Sequence, residues 1–373
     1  MAHPSNPPAE GWDLFCQVVD NFGDVGVCWR LARGLAERGL AVRLYIDDAS
    51  ALGWMAGAAA NAAANAEPDA GANARAAVHV LPWPRAGEAS LTPGTVVIEA
   101  FGCNPPPAFV AAMAACSPAP VWLNLEHLSA EPFVERSHGL ASPQPCGLTK
   151  WFFFPGFTPR TGGLLREDGL LQARASFERD PWLAAQGLQR RPGERVVSLF
   201  CYDNAALPAV LQRLGEQPTL LLLTPGHAQR LVSTDVPGLR CVRLPWLAQD
   251  AYDRLLWACD LNFVRGEDSL VRAIWAGAPF VWQVYPQDDG AHTPKLEALL
   301  AQLQGPADVA ALWRAWNEGP LAGPLRIPAW PAAEPWHSAC QAWRSRLAAQ
   351  DDLLNQLQHF VSGKIGGAAA RRC

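Results

Sequence analysis

Short, mostly apolar runs recur along the chain, separated by stretches with helical spacing. Residues 12–19 form the first run. Residues 27–38 place apolar side chains at helical intervals and end at Gly39, and residues 41–46 return to a strand-like run. That order predicts a strand, an amphipathic helix and a second strand, the opening of an α/β unit. Further short buried strands are expected at 78–81, 95–98 and 121–125, with an aromatic one at 148–155. A second series starts at 196–200 and continues at 219–224, 239–244, 261–264 and 279–283.

Two α/β domains follow from this pattern. The first spans residues 1–184 and the second 190–344, with the polar, Pro-containing stretch at 180–193 as junction. Apolar positions over 343–361 keep helical spacing, which predicts one long terminal helix, about 345–365, crossing back onto the first domain. Residues 56–77, rich in Ala and Asn, read as a variable, mobile insertion, and 366–373 as a disordered tail.

Composition narrows the class. A chain of 373 residues suits two domains, and 50% apolar content allows sizeable cores. Charged residues are 17%, the net charge is -5, and no Lys/Arg cluster stands out, so a nucleic-acid partner is not expected. The apolar runs fall far short of the ~20 residues of a membrane span. The start Met1-Ala2-His3-Pro4 lacks the basic and apolar regions of a signal peptide. Ten cysteines are scattered without a Cys-x-x-Cys pair, which fits free thiols in a reducing cytoplasm better than disulfides.

Two loops concentrate the chemistry, each where a strand gives way to a helix, the place where open α/β sheets bind ligands. In the first, Asp20-Asn21-Phe22-Gly23-Asp24-Val25-Gly26, the glycines permit a tight turn near a ligand. Asp24 is either an N-cap for the following helix or a functional carboxylate. Asp20, at the strand end, is a candidate general base or cation binder. The spacing matches neither a dinucleotide fingerprint nor a P-loop. In the second, Arg265-Gly266-Glu267-Asp268-Ser269, Asp268 or Ser269 is the expected cap of a helix over 270–276 that Gly277 ends. Its free N–H groups and Arg265 suit a diphosphate without a metal. Glu267 is out of place beside phosphate and points to hydroxyls or a cation. No metal-ligand set with convincing spacing appears, so no metal and no cofactor are expected.

A third segment points to a nucleotide. Phe200 and Tyr202 share one face of an extended stretch and either stack on a base or pack in the core. Gln249 either bonds a base edge or faces solvent from a helix.

Four segments carry a family resemblance: 20–33 (DNFGDVGVCWRLAR), 122–126 (WLNLE), 152–167 (FFFPGFTPRTGGLLRE) and 252–269 (YDRLLWACDLNFVRGEDS). Together they resemble the EarP family, the protein-arginine rhamnosyltransferases of translation elongation factor P. The resemblance runs from Trp12 to the terminal helix, apart from the Ala/Asn-rich insertion. It implies a GT-B glycosyltransferase architecture of two Rossmann-like domains facing a central cleft. It also implies a dTDP-β-L-rhamnose donor and inversion at the sugar carbon. The acceptor is an arginine in the N-terminal domain of elongation factor P, whose activation relieves ribosome stalling at polyproline. By position, Asp20, Asp24 and Glu267 match the family's catalytic carboxylates. Phe200 and Tyr202 match its thymine-stacking aromatics, while Gln249, Arg265, Asp268 and Ser269 match other donor-binding positions. Asn21, Phe22, Gly23, Trp246 and Gly266 lie among them in the same loops. Trp246 stands where the family usually has Phe, and His127 where it usually has Tyr. Three other readings compete: a transferase of the same architecture with a lipid or saccharide acceptor, a nucleotide-sugar epimerase, and a non-catalytic nucleotide-binding module.

Overall fold

A computed structural model describes residues 9–19, 22–57, 78–83, 92–233, 235–285, 292–318 and 329–370. The insertion at 56–77 falls almost wholly outside them. The chain divides into two units, one of residues 1–168 with 350–373, the other of residues 169–349.

In the first unit β1 (Ala9–Cys16), β2 (Val42–Ile46), β3 (Val78–Pro82), β4 (Gly94–Ala100), β5 (Val121–Leu125) and β7 (Thr149–Phe153) are parallel. The three-residue β6 (Ala141–Pro143) pairs antiparallel with β7 at the edge, giving the order β3-β2-β1-β4-β5-β7-β6. The chain therefore reverses its winding between β1 and β4, and the crevice of such a sheet opens there. The helix Gly23–Glu37 lays Val25, Cys28, Leu31 and Leu35 on one face of the sheet, against Leu14, Leu44 and Ile98.

The second unit repeats the plan with five parallel strands: β8 (Arg195–Leu199), β9 (Thr219–Leu223), β10 (Leu239–Arg243), β11 (Leu261–Arg265) and β12 (Phe280–Gln283). Their order is β10-β9-β8-β11-β12, with the reversal between β8 and β11. β9 is buried along its whole length, as parallel strands covered on both faces are. Both units are thus Rossmann-like, and the α/β, GT-B-type fold class stands.

Three details depart from the sequence reading. The boundary lies at 168/169 rather than 184–190. The helices Leu170–Ala175 and Arg179–Ala185 belong to the second unit, where Leu183 and Leu188 pack with Leu220, Leu222 and Leu255, and Arg179 forks onto Asp260 at 2.7 Å. The polar stretch that looks like a linker covers this core. Next, the expected single terminal helix is two, Ala333–Ala348 in the second unit and Leu353–Ala370 in the first. Asp352 separates them: its carboxylate accepts the Asn355 backbone N–H at 3.0 Å and the Asn355 side-chain amide at 2.8 Å, starting a new helix. Finally, the tail expected to be disordered continues that helix to Ala370, with 371–373 outside the described residues.

The return to the first unit is substantial. Leu353, Leu354, Leu357 and Val361 are buried in its core. Arg38 donates to Asn355 and Gln358, each at 2.9 Å, and pairs with Asp168 at 2.9 Å. Buried Arg30 pairs with Glu167 at 3.1 Å.

Candidate functional site

In the first unit the loop after β1 leads straight into the helix Gly23–Glu37. Asp20 and Asn21 lie outside the described residues. Phe22 occupies the cap position and sets its ring edge-on to Trp54 at 5.3 Å. Gly23 is the first residue of the helix. Asp24 is therefore not the N-cap that its type suggests. It sits in the first turn, 8% exposed, and its carboxylate accepts the Val19 N–H at 3.0 Å. It ties the strand side of the loop to the helix start, where the aligned peptide dipoles favour a negative charge.

Beside this loop, at the carboxyl ends of β4 and β5, lies a polar group that the sequence reading did not single out. Glu99 is fully buried, 2.6 Å from the Lys150 ammonium, and accepts the Trp122 indole N–H at 3.2 Å. Burial pushes its carboxyl above the ordinary range, and Lys150 pulls the other way. Half-buried Glu126 accepts the Asn124 amide at 2.7 Å, and burial likewise raises its pKa. Asn124 in turn accepts the Gly102 N–H at 3.0 Å, and His127 stacks on Phe101 at 4.4 Å. Only the motif WLNLE hinted at this group. Its partners come from three strands, so no local pattern reveals it.

In the second unit the sequence-predicted residues gather at the reversal between β8 and β11. The Phe200 N–H donates to the Phe263 carbonyl at 3.0 Å, and the Tyr202 N–H to the Gln283 side chain at 2.9 Å. Both aromatics are thereby fixed by their backbone. The Arg265 guanidinium carbon lies 4.5 Å from the centre of the Phe200 ring and 4.2 Å from that of Tyr202. Such contacts stabilise by ~0.5–2 kcal/mol each. The phosphate-binding charge expected beside the helix thus rests on the two rings expected to stack a base. Tyr285, exposed and unnoticed in the sequence, meets Tyr202 edge-on at 5.4 Å.

The helix itself runs over Gly266–Ala276, four residues earlier than expected, so neither Asp268 nor Ser269 is its cap residue. Gly266 adopts φ +68, which a side chain would resist. Its carbonyl accepts the Trp282 indole N–H at 2.8 Å. The Ser269 hydroxyl accepts the Arg265 N–H at 3.1 Å and donates to the Arg265 carbonyl, closing the first turn from within. Gly277 ends the helix in the left-handed conformation, as expected. Glu267 and Asp268 lie in the first turn, and Glu267 pairs with Lys295 at 3.1 Å. Gln249 begins the helix Gln249–Ala258 and is 6% exposed, which removes the solvent-facing alternative. Trp246, just before it, is 46% exposed. Deeper in, Arg272 forks onto Asp253 at 2.9 and 2.7 Å, joining the two helices through a buried pair.

Flat rings, a guanidinium and a helix N-terminus at a sheet reversal can bind a base and a diphosphate together. Among the described residues no group of three or more His, Cys, Asp or Glu is placed to hold a metal ion, and no helix is long and apolar enough to cross a membrane.

The family described as "Elongation-Factor P (EF-P) rhamnosyltransferase EarP" matches residues 12–362. A protein-arginine rhamnosyltransferase of Pseudomonas putida KT2440 is 47% identical over 95% of this chain and 99% of its own length. One from Pseudomonas aeruginosa PAO1 is 44% identical over 94% and 98%. A solved structure described as the structural basis for EarP-mediated arginine glycosylation of translation elongation factor EF-P superposes with a TM-score of 0.62. It is 33% identical and covers 95% of this chain and 99% of the other. Arabidopsis thaliana UGT89C1, solved in complex with UDP, shares the fold at a TM-score of 0.52 and 11% identity, over 95% and 99% of the two chains.

Proposed function

Because the chain belongs to the EarP family of elongation factor P rhamnosyltransferases, we propose that it moves L-rhamnose from dTDP-β-L-rhamnose to an arginine of elongation factor P, with inversion and without a metal. The acceptor arginine lies in the factor's N-terminal domain, and its modification relieves stalling at polyproline in the bacterial cytoplasm. The observation that carries the reading is Arg265 resting on Phe200 and Tyr202 beside a helix start at the sheet reversal.

The chemistry explains the carboxylates. An arginine side chain is protonated in water, with a pKa above ~12, and is a poor nucleophile. Carboxylates hold a guanidinium bidentately, and one must accept a proton as the nitrogen attacks. A bond forms from nitrogen to the anomeric carbon while the bond to the diphosphate oxygen breaks. The proton passes to Asp20 or Asp24, and dTDP departs with the electron pair. Glu267 orients the acceptor or offsets the positive charge growing on the sugar. Arg265 and the N–H groups of Gly266–Ala276 stabilise the departing diphosphate. Phe200 and Tyr202 stack the thymine, with Gln249 and Trp246 completing the base side of the pocket. Asp268 and Ser269 set the first turn that faces the phosphates.

The direct test is the intact mass of elongation factor P after incubation with the protein and dTDP-rhamnose in excess EDTA. A gain of one deoxyhexose is expected. Unchanged mass while the donor is converted would point to an epimerase, and activity restored only by magnesium or manganese would overturn metal independence. The donor pocket has its own test. Stacking is worth ~1–3 kcal/mol per base, so Tyr202→Ala should weaken both dTDP and thymidine by roughly ten- to a hundred-fold. Arg265→Ala should cost dTDP more than thymidine. Normal dTDP binding by Tyr202→Ala in calorimetry would make Tyr202 a packing residue.

A further inference from the structure

The ion pair at Glu267 brings in a residue from outside the motif. Lys295 belongs to the first turn of the helix His292–Leu303, a separate element from the one that carries Glu267. The two side chains meet at 3.1 Å and are only 24% and 19% exposed. An ammonium at that depth is costly to desolvate unless it is paired, so the contact is more than a loose surface pair.

The backbone under Glu267 is already fixed by other groups. Trp282 holds the Gly266 carbonyl, Ser269 holds the Arg265 backbone, and Arg272 anchors the helix to Asp253. Those contacts act on the backbone, whereas Lys295 reaches the Glu267 carboxylate itself, from another element. The pair also answers the electrostatic objection to a carboxylate beside a diphosphate site. Arg265 already rests on the rings of Phe200 and Tyr202, while Lys295 supplies the charge that matches Glu267.

We propose that Lys295 is a positioning residue for rhamnosyl transfer, holding the Glu267 carboxylate in the orientation the reaction uses. The inference rests on the reading of Glu267 as catalytic. A displacement of about 1 Å at a reacting group costs on the order of a hundred-fold in rate.

The experiment compares initial rates of the full chain carrying Lys295→Met, Lys295→Arg or Lys295→Gln, with dTDP-rhamnose and elongation factor P. Lys295→Met should lower kcat by roughly ten- to a hundred-fold and leave the KM for dTDP-rhamnose within about two-fold, as loss of an interaction used in the transition state does. Lys295→Arg should recover most of the rate. Lys295→Gln, one atom shorter, keeps a hydrogen-bond donor without the charge and gives the readout if the Met variant unfolds in a thermal melt. In a Glu267→Gln background, Lys295→Met should cost little more, because the pair acts as a unit. A raised KM with unchanged kcat would overturn the proposal and make Lys295 a donor contact. Wild-type kinetics in the Met and Gln variants would overturn it too. Glu267→Gln run alone separates the two levels: if it keeps wild-type kcat, the catalytic assignment of Glu267 fails. If Glu267→Gln is impaired and Lys295→Met is not, only the positioning role fails.

Discussion

Asp24→Ala is expected to lower rhamnosyl transfer about 10²–10⁴-fold, the usual cost of removing a general acid–base group, with dTDP affinity unchanged. The second half follows because the proposed donor contacts Phe200, Tyr202 and Arg265 all belong to the second unit and Asp24 to the first. The structure supplies a rival explanation, because the Asp24 carboxylate accepts the Val19 N–H at 3.0 Å. Losing a bond to a charged group costs ~1.5–3 kcal/mol of stability, and less here, because Val19 is 85% exposed and water can replace the partner. Asp24→Asn decides between the two. The amide oxygen can still accept from Val19, but it has no negative charge to hold a guanidinium or take its proton. An Asn variant as inactive as Ala, melting near wild type, supports catalysis; one with near-normal turnover reduces Asp24 to a structural tie.

The largest effect on stability is expected at the buried pair in the second unit. Arg272 and Asp253 are 1% and 5% exposed and share two hydrogen bonds. Removing one partner leaves the other charged and buried, which costs ~3–5 kcal/mol. Asp253→Ala and Arg272→Met should therefore each shift the unfolding transition of the second unit strongly to lower denaturant. Asp253→Leu combined with Arg272→Met should lie much closer to wild type, since no unpaired charge remains. Single variants costing under ~1 kcal/mol would show that the pair is not the anchor of the helix carrying Glu267. Because that helix also carries Ser269, the single variants should weaken dTDP binding in the fraction that stays folded.

The strands were legible because parallel strands covered on both faces are short apolar runs, and the structure places all eleven runs in two sheets. Helix starts were less legible. Asp24, Asp268 and Ser269 are residue types that favour caps, yet the chain begins both helices earlier, at Gly23 and Gly266. Asp24 then accepts the Val19 N–H across the loop, and Ser269 bonds the Arg265 backbone within the first turn. The break at 349–352 was hidden because the apolar rhythm continues through it, while Asp352 restarts the helix in the other unit. Arg265 on two rings, Lys295 on Glu267, and Glu126 beside Asn124 at a strand end depend on side-chain placement that one-dimensional spacing does not encode.

The order of the units along the chain has a consequence for synthesis. Residues 169–349 are an insertion within the first unit, whose last helix comes from 350–373. The second unit is synthesised whole while Leu35, Val25 and their neighbours still await Leu354, Leu357 and Val361. At ~5–20 residues per second that interval lasts on the order of ten seconds or more. The half that begins first is therefore finished last. A released fragment ending at residue 349 should already protect the second unit from protease while leaving the first susceptible.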